Sequence, residues 1–194
     1  RQWHYSEQNT NSIDMLLALN GIPVVAIELK NQLTGQSVDD AKKQWAYNRN
    51  PKEPVFGFNK RILAYFACDL YDVYMTTRLD GPMTNFLPFN QGSNGAGRDG
   101  GAGNPPNPTG GYVTSYFWEN VLQKDNLMDI LQKFISYEKT EKKEVMPDGS
   151  TNIKKTEKII FPRYHQLDVV RELVRHVREN GPGHNYLIQH SAGS

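Results

Sequence analysis

Residues 12–30 read SIDMLLALNGIPVVAIELK, which is two apolar runs separated by Asn20-Gly21 and followed by charged residues. An Asn-Gly pair between two such runs is the strongest short-range signal for a β-hairpin, because both residues tolerate the positive φ of a tight turn. The sequence therefore predicts two antiparallel strands over residues 12–19 and 22–29.

Three charged side chains interrupt this apolar hairpin. Glu28 and Lys30 are two residues apart, so they share one face of the second strand, and Asp14 lies in the first strand. A charge at the end of a buried strand is costly unless it is paired or binds a metal, and converging carboxylates suit Mg²⁺. We therefore predict a Mg²⁺ site at Asp14 and Glu28, with Lys30 assisting phosphodiester hydrolysis. A solvated Glu28–Lys30 ion pair is the alternative.

The register of the hairpin decides whether the two carboxylates meet. A regular two-residue turn at Asn20-Gly21 pairs Asp14 with Ile27 and points Asp14 away from Glu28, because neighbouring positions face opposite sides of a sheet. A three-residue loop that includes Leu19, or an equivalent β-bulge, shifts the register by one and returns Asp14 to the Glu28 face. The metal site thus predicts an odd-length loop or a bulge.

The chain after the hairpin carries helix and strand signals. Residues 37–49 begin with a Ser N-cap, have acidic residues in the first turn and stop before Asn50-Pro51, which predicts a helix. Residues 55–58, 61–68 and 73–78 are rich in β-branched and aromatic residues, which predicts strands. We expect an α/β fold, α+β-like, with a mixed central sheet flanked by helices.

The second half of the chain begins with a loop. Residues 91–111 are rich in Gly and Pro, which predicts a flexible loop or insertion. Apolar residues then recur at helical spacing from Ser115 to Phe134, and again over residues 166–180, where Gly181 ends the helix. The polar stretch 139–158, with a turn signal at 147–149, predicts an exposed hairpin or linker, and residues 185–189 predict a short strand.

Composition narrows the class of protein. The 194 residues fit one domain or slightly more, and 22 Lys+Arg against 21 Asp+Glu exclude a strong overall field for attracting nucleic acid. The single cysteine excludes an internal disulfide and favours the cytoplasm, and no apolar run is long enough to span a membrane. The chain begins without Met and stops as a Gly/Ser loop starts, so we expect a fragment of a longer protein.

A local basic cluster follows the predicted site. Its members, which either contact phosphates or form a solvated face, are Lys42, Lys43, Arg49, Lys52, Lys60 and Arg61.

Asp14 followed by Glu28-Leu29-Lys30 resembles the PD-(D/E)xK nuclease core, and residues 11–31 resemble the nuclease domain of the restriction (R) subunit of type I restriction-modification enzymes. Further segments resemble that subunit in the same order and extend the resemblance over nearly the whole chain: residues 61–81, 84–92, 110–135 and 161–174. The resemblance implies that Asp14, Glu28 and the backbone carbonyl of Leu29 bind the metal and that Lys30 is the catalytic lysine.

Related nucleases often carry Gln-xxx-Tyr on the next helix. Here Gln44 is followed by Tyr47 after two residues, so the tyrosine comes one position early. The resemblance implies that Gln44 contacts the site or DNA. Trp45 and Tyr47 are equally well explained as residues that pack the helix against the sheet.

The end of the chain resembles the entrance to a superfamily 2 helicase. Tyr164-His165-Gln166 resembles the Q motif, in which the glutamine recognises adenine, and residues 190–194 resemble the front of a Walker A loop with Gly193 and Ser194. The resemblance implies ATP binding in the intact protein, whereas a fragment without the Walker A lysine is not expected to hydrolyse ATP.

These observations predict a nuclease domain over residues 1–137, a polar linker or hairpin over 138–160 and the start of a RecA-like helicase domain over 161–194. The expected function is Mg²⁺-dependent cleavage of double-stranded DNA after ATP-driven translocation, with methyltransferase (M) and specificity (S) subunits as partners. A stand-alone repair nuclease and a non-catalytic DNA- or partner-docking module are the alternatives.

Overall fold

The computed structural model describes residues 2–92, 101–145 and 151–188. Part of the Gly-rich loop, the predicted turn at 147–149, and Gly193 and Ser194 lie outside these ranges.

The predicted hairpin is present, with a two-residue turn. Strand β3 (Met15–Leu19) pairs antiparallel with β4 (Ile22–Leu29), and Asn20 and Gly21 both have positive φ, at 49° and 82°. The prediction of a three-residue loop is therefore wrong. The predicted alternative, a bulge, is confirmed, because Ala18 pairs with Pro23 while Leu17 pairs with Val25, which shifts the register by one residue.

Two short strands precede this hairpin: β1 (Trp3–His4) pairs antiparallel with β2 (Ser12–Ile13). The central sheet continues with β5 (Ala64–Cys68), β6 (Val73–Thr76) and β7 (Leu87–Pro88) in the order β3-β4-β5-β6-β7. Since β4 and β5 run parallel and the other neighbours antiparallel, the predicted mixed sheet is confirmed.

Helix α1 (Val38–Tyr47) covers one face of the sheet. Its start is fixed by Ser37, whose backbone N–H donates to the Asp40 side chain at 2.9 Å in a capping box, as the N-cap signal predicts. Buried Asp69 also holds the helix start by accepting from the Val38 N–H at 2.7 Å. The predicted strand over residues 55–58 is wrong: this segment forms turns, from which Val55 and Phe56 fill the core beneath α1.

The other face of the sheet is covered from the second half of the chain. A π-helical turn (Phe117–Val121) and helix α2 (Lys124–Lys133) supply buried residues, as the helical spacing predicts. Phe161 and Leu167 pack into the same core, so the segment after residue 160 rests directly on the sheet. The division into a nuclease domain and a helicase start stays a prediction.

Two strands project from this body as an exposed ribbon, β8 (Ser136–Val145) and β9 (Thr151–Ile160). The predicted hairpin is therefore confirmed. Helix α3 (Tyr164–Asn180) follows, but the apolar face predicted for it is only partly covered, since Leu167 is buried while Val170, Val174 and Val177 are exposed. The predicted strand over 185–189 is wrong for residues 185–188, which form no regular element.

Within the described ranges, none of the three α-helices combines the length and apolar character that crossing a membrane requires.

Candidate functional site

Glu28 occupies the carboxyl end of the central strand β4, between β3 and the parallel strand β5. Its side chain is fully buried, and it is the charged residue in an otherwise apolar strand. The parallel pairing places Glu28 beside Ala67 and continues to the Lys30 N–H, which donates to the Cys68 carbonyl at 2.9 Å. The backbone on either side of Glu28 is thus fixed by the sheet.

The β-bulge brings Asp14 to the same place. With the shifted register, Met15 pairs with Ile27, so the next position outward sets Asp14 against Glu28. The Asp14 carboxylate accepts a hydrogen bond from the Leu29 N–H at 2.9 Å. Asp14 is therefore attached to the strand that carries Glu28 and Lys30, and the three predicted residues lie at one edge of the sheet.

Gln44 joins two of these residues from helix α1. The Lys30 ammonium donates to the Gln44 side-chain carbonyl at 2.6 Å, and the Gln44 amide donates to one Glu28 oxygen at 3.0 Å. The amide uses its acceptor end for the lysine and its donor end for the carboxylate. Gln44 therefore sets the position of Lys30 relative to Glu28, and its catalytic role stays a prediction.

Arg49, just beyond the end of α1, holds the other Glu28 oxygen. Its Nη2 lies 2.5 Å from Glu28 Oε1 and donates to the Ser12 carbonyl at 2.7 Å. Both interpretations of the basic cluster, as phosphate contacts and as a solvated face, are wrong for Arg49, because its side chain is 3% exposed and paired inside the protein. No sequence motif links Arg49 to Glu28, which is 21 residues away, so only the folded structure shows that the two side chains are paired.

The pKa of Glu28 depends on its burial and on two charged neighbours, Arg49 and Asp14. The pKa of Glu28 is raised to about 8: burial contributes most to the increase, the Arg49 guanidinium opposes it, and the nearby Asp14 carboxylate adds to it. The site is thus one in which two carboxylates are held together and only one of them has a buried cationic partner.

The donor set of this edge fits a hard divalent cation. Asp14 and Glu28 have carboxylate oxygens to offer, whereas a contribution of the Leu29 backbone carbonyl stays a prediction. In the described part of the chain no group of three or more His, Cys, Asp and Glu side chains gathers in a metal-binding cluster. Two carboxylates with water completing the coordination would match the usual preference of Mg²⁺.

A sequence model of the N terminus of type I restriction enzyme R proteins matches residues 1–84, the part of the chain that contains this whole site. Residues 1–84 belong to this family. No curated protein and no solved structure matches the chain. We call residues 1–84 the R-protein N-terminal region. It contains strands β1–β6, helix α1 and the site residues Asp14, Glu28, Lys30, Gln44 and Arg49.

Within the R-protein N-terminal region, the two aromatic residues after Gln44 differ in environment. Trp45 is fully buried, and its indole N–H donates to the Phe66 carbonyl at 2.9 Å, so it packs α1 against the sheet. Tyr47 is 68% exposed. The packing interpretation is therefore confirmed for Trp45 and wrong for Tyr47.

Most of the other residues of the basic cluster lie on the surface of the R-protein N-terminal region. Lys42 pairs with Asp39 at 2.6 Å and also lies over the Tyr74 ring, and Lys43 is 3.7 Å from Asp40. The remaining members are exposed: Lys52, Lys60 and Arg61.

The predicted nucleotide-binding residues lie beyond the matched region. Gln166 is exposed in the first turn of α3, where its side-chain carbonyl accepts from the Arg163 N–H at 3.0 Å and caps the helix. Its role in recognising adenine stays a prediction, and Gly193 and Ser194 lie outside the described residues.

Proposed function

We propose that this chain carries the nuclease site of a type I restriction enzyme R subunit and hydrolyses phosphodiester bonds of double-stranded DNA with Mg²⁺, on a PD-(D/E)xK core. The observation that carries the proposal is the β-bulge between β3 and β4, which sets Asp14 against Glu28. A bulge in a hairpin that would otherwise be regular is a feature that re-aims a side chain, and here it re-aims a carboxylate toward another carboxylate.

The residues of this edge divide the work. Asp14, Glu28 and the Leu29 carbonyl would hold the metal, whose chemistry is to neutralise phosphate charge and to activate water. Lys30, held by Gln44, has its ammonium group available to orient the attacking water or to offset charge that develops on the phosphate. Gln44 and Arg49 keep the Glu28 carboxylate in one orientation.

The larger protein would supply ATP-driven translocation. In this proposal residues 161–194 begin a helicase motor, with Gln166 contacting adenine, and the M and S subunits deliver the site to DNA. The formal charge of +1 supports delivery by partners, because the chain has little overall field with which to attract DNA.

Three substitutions test the site, with metal binding measured on the 194-residue chain and cleavage measured on a complete R subunit that carries the same changes, assembled with M and S subunits and supplied with ATP. We expect Asp14→Asn and Glu28→Gln to abolish Mn²⁺ binding measured by calorimetry, and Lys30→Met to leave that binding in place. All three should reduce Mg²⁺-dependent plasmid cleavage by about 100-fold or more, the usual loss when one preorganised electrostatic group is removed.

Asp39→Asn and Lys133→Met are matched controls, because both residues lie on exposed helix surfaces outside the site and the basic cluster. These controls should bind Mn²⁺ and cleave as the unchanged chain does. A chain that binds no Mn²⁺, or equal cleavage by all variants, would contradict the proposal.

A further inference from the structure

We propose that Arg49 is a positioning residue of this site: by bonding to β4, which carries Glu28, and to β2, which ends one residue before Asp14, it fixes where Glu28 lies relative to Asp14. This inference rests on the proposed function, since it concerns the same metal site. It adds a residue that lies outside the Asp14, Glu28, Lys30 and Gln44 set.

The first observation is that a single nitrogen of Arg49 reaches two strands. Nη2 bonds to Glu28 Oε1 on β4 and to the Ser12 carbonyl on β2. Ser12 precedes Asp14 by two residues, and Ile13 between them is fully buried, so the backbone that carries Asp14 is held from both sides. The two N–H groups of one guanidinium nitrogen diverge, which suits acceptors on different strands.

The second observation is that Arg49 is itself held in place. Its guanidinium lies 5.7 Å from the centre of the Tyr5 ring and 5.9 Å from that of Trp45. Both distances are within the range of cation–π contacts. A side chain fixed by two rings and two acceptors can transmit its position to the groups that it contacts.

The third observation is the division of the Glu28 carboxylate between two donors from one stretch of chain. Gln44 in α1 takes Oε2, and Arg49 just after α1 takes Oε1. Each carboxylate oxygen has two acceptor sites, so neither of these two hydrogen bonds saturates the oxygen that accepts it. The carboxylate is therefore oriented without being saturated.

Two effects of Arg49 on a metal ion oppose each other. Its positive charge repels a cation, whereas its orienting bonds prepare Glu28 to bind one. The proposal states that orientation dominates. The two effects separate in a pair of variants, because Arg49→Lys keeps the charge on a shorter side chain without the planar guanidinium, while Arg49→Met loses both the charge and the hydrogen bonds.

The test first measures Mn²⁺ binding to the 194-residue chain by calorimetry, after circular dichroism has verified that each variant is folded. It then measures, for DNA cleavage by the assembled enzyme, the maximal rate and the Mg²⁺ concentration that gives half of that rate. We expect Arg49→Met to weaken Mn²⁺ binding by about 10- to 100-fold, the range for groups that orient metal ligands, and Arg49→Lys to weaken it less. Exposed Arg61, changed to Met and to Lys, is the matched control and should leave binding unchanged.

The remaining outcomes contradict either the role proposed for Arg49 or the proposed function. Unchanged Mn²⁺ affinity in folded Arg49→Lys and Arg49→Met would show a purely structural role, and tighter binding by Arg49→Met would show that Arg49 only competes with the metal; either refutes the inference alone. If Arg49→Met does not fold, unchanged affinity in Arg49→Lys is sufficient to refute it. Absence of Mn²⁺ binding by the unchanged chain refutes the proposed function itself.

Discussion

Arg49 and Glu28 form an ion pair whose side chains are 3% and 0% exposed, with Nη2 and Oε1 2.5 Å apart. Breaking such a pair from one side leaves an uncompensated charge in the interior, which costs about 3–5 kcal/mol. We therefore expect Arg49→Met to lower the free energy of unfolding by that amount in urea denaturation without metal at about pH 9, above the Glu28 pKa of about 8, where the pair is charged.

The double variant Glu28→Gln with Arg49→Met removes both charges and should be less destabilised than the sum of the two single changes. Strict additivity of the two losses would show that the charges are not coupled in the folded protein.

Gln44 offers a second measurable link, because it bonds to both Lys30 and Glu28. We expect Gln44→Ala to lower the cleavage rate at saturating Mg²⁺ by about 10- to 100-fold, since Lys30 and Glu28 lose their common partner. Gln36→Ala is the control, because Gln36 is exposed just before α1. A Gln44→Ala rate equal to that of the control would exclude Gln44 from the site.

Trp45 and Tyr47 are expected to respond differently to truncation. Trp45→Ala should cost about 3–5 kcal/mol of unfolding free energy, because it empties a fully buried site against Tyr65 and Phe56. Tyr47→Ala should change stability by less than about 0.5 kcal/mol, because its ring is 68% exposed. Chemical denaturation followed by circular dichroism measures both. A large loss for Tyr47→Ala would mean that this ring is packed in solution.

Cys68 provides a probe of unfolding. The thiol is 1% exposed, and burial raises the pKa of Cys68 to about 12. An unfolded cysteine has a pKa of about 8.5, so at pH 8 only the unfolded chain presents a substantial fraction of thiolate. We expect a disulfide reagent at pH 8 to react at the rate at which the protein opens, and to react at once in denaturant. Immediate reaction of the native chain would contradict the burial of Cys68.

The parts of the fold that sequence predicts well are those with local causes. The hairpin follows from Asn20-Gly21, and the start of α1 follows from Ser37. The bulge was predictable only through chemistry, because a regular register would have separated Asp14 from Glu28.

The errors have non-local causes. Residues 55–58 have strand-forming side chains, but tertiary packing uses Val55 and Phe56 to fill the space beneath Trp45. In the sequence, Arg49 is one of several basic residues that follow Glu28-Leu29-Lys30, and no residue near it along the chain indicates a buried partner. The fold brings it to Glu28 by turning the end of α1 back toward β2 and β4.

The ribbon of β8 and β9 has a practical consequence. Ser136 pairs with Ile160, so the chain leaves the body and returns to it at one point, and its base is tied down where the Thr77 hydroxyl donates to the Ile159 carbonyl at 2.9 Å. Exposed excursions of this kind tolerate insertion and shortening. The ribbon is therefore a suitable place to attach a fluorophore or insert an epitope, because a label there does not alter the edge of the sheet that holds Asp14 and Glu28.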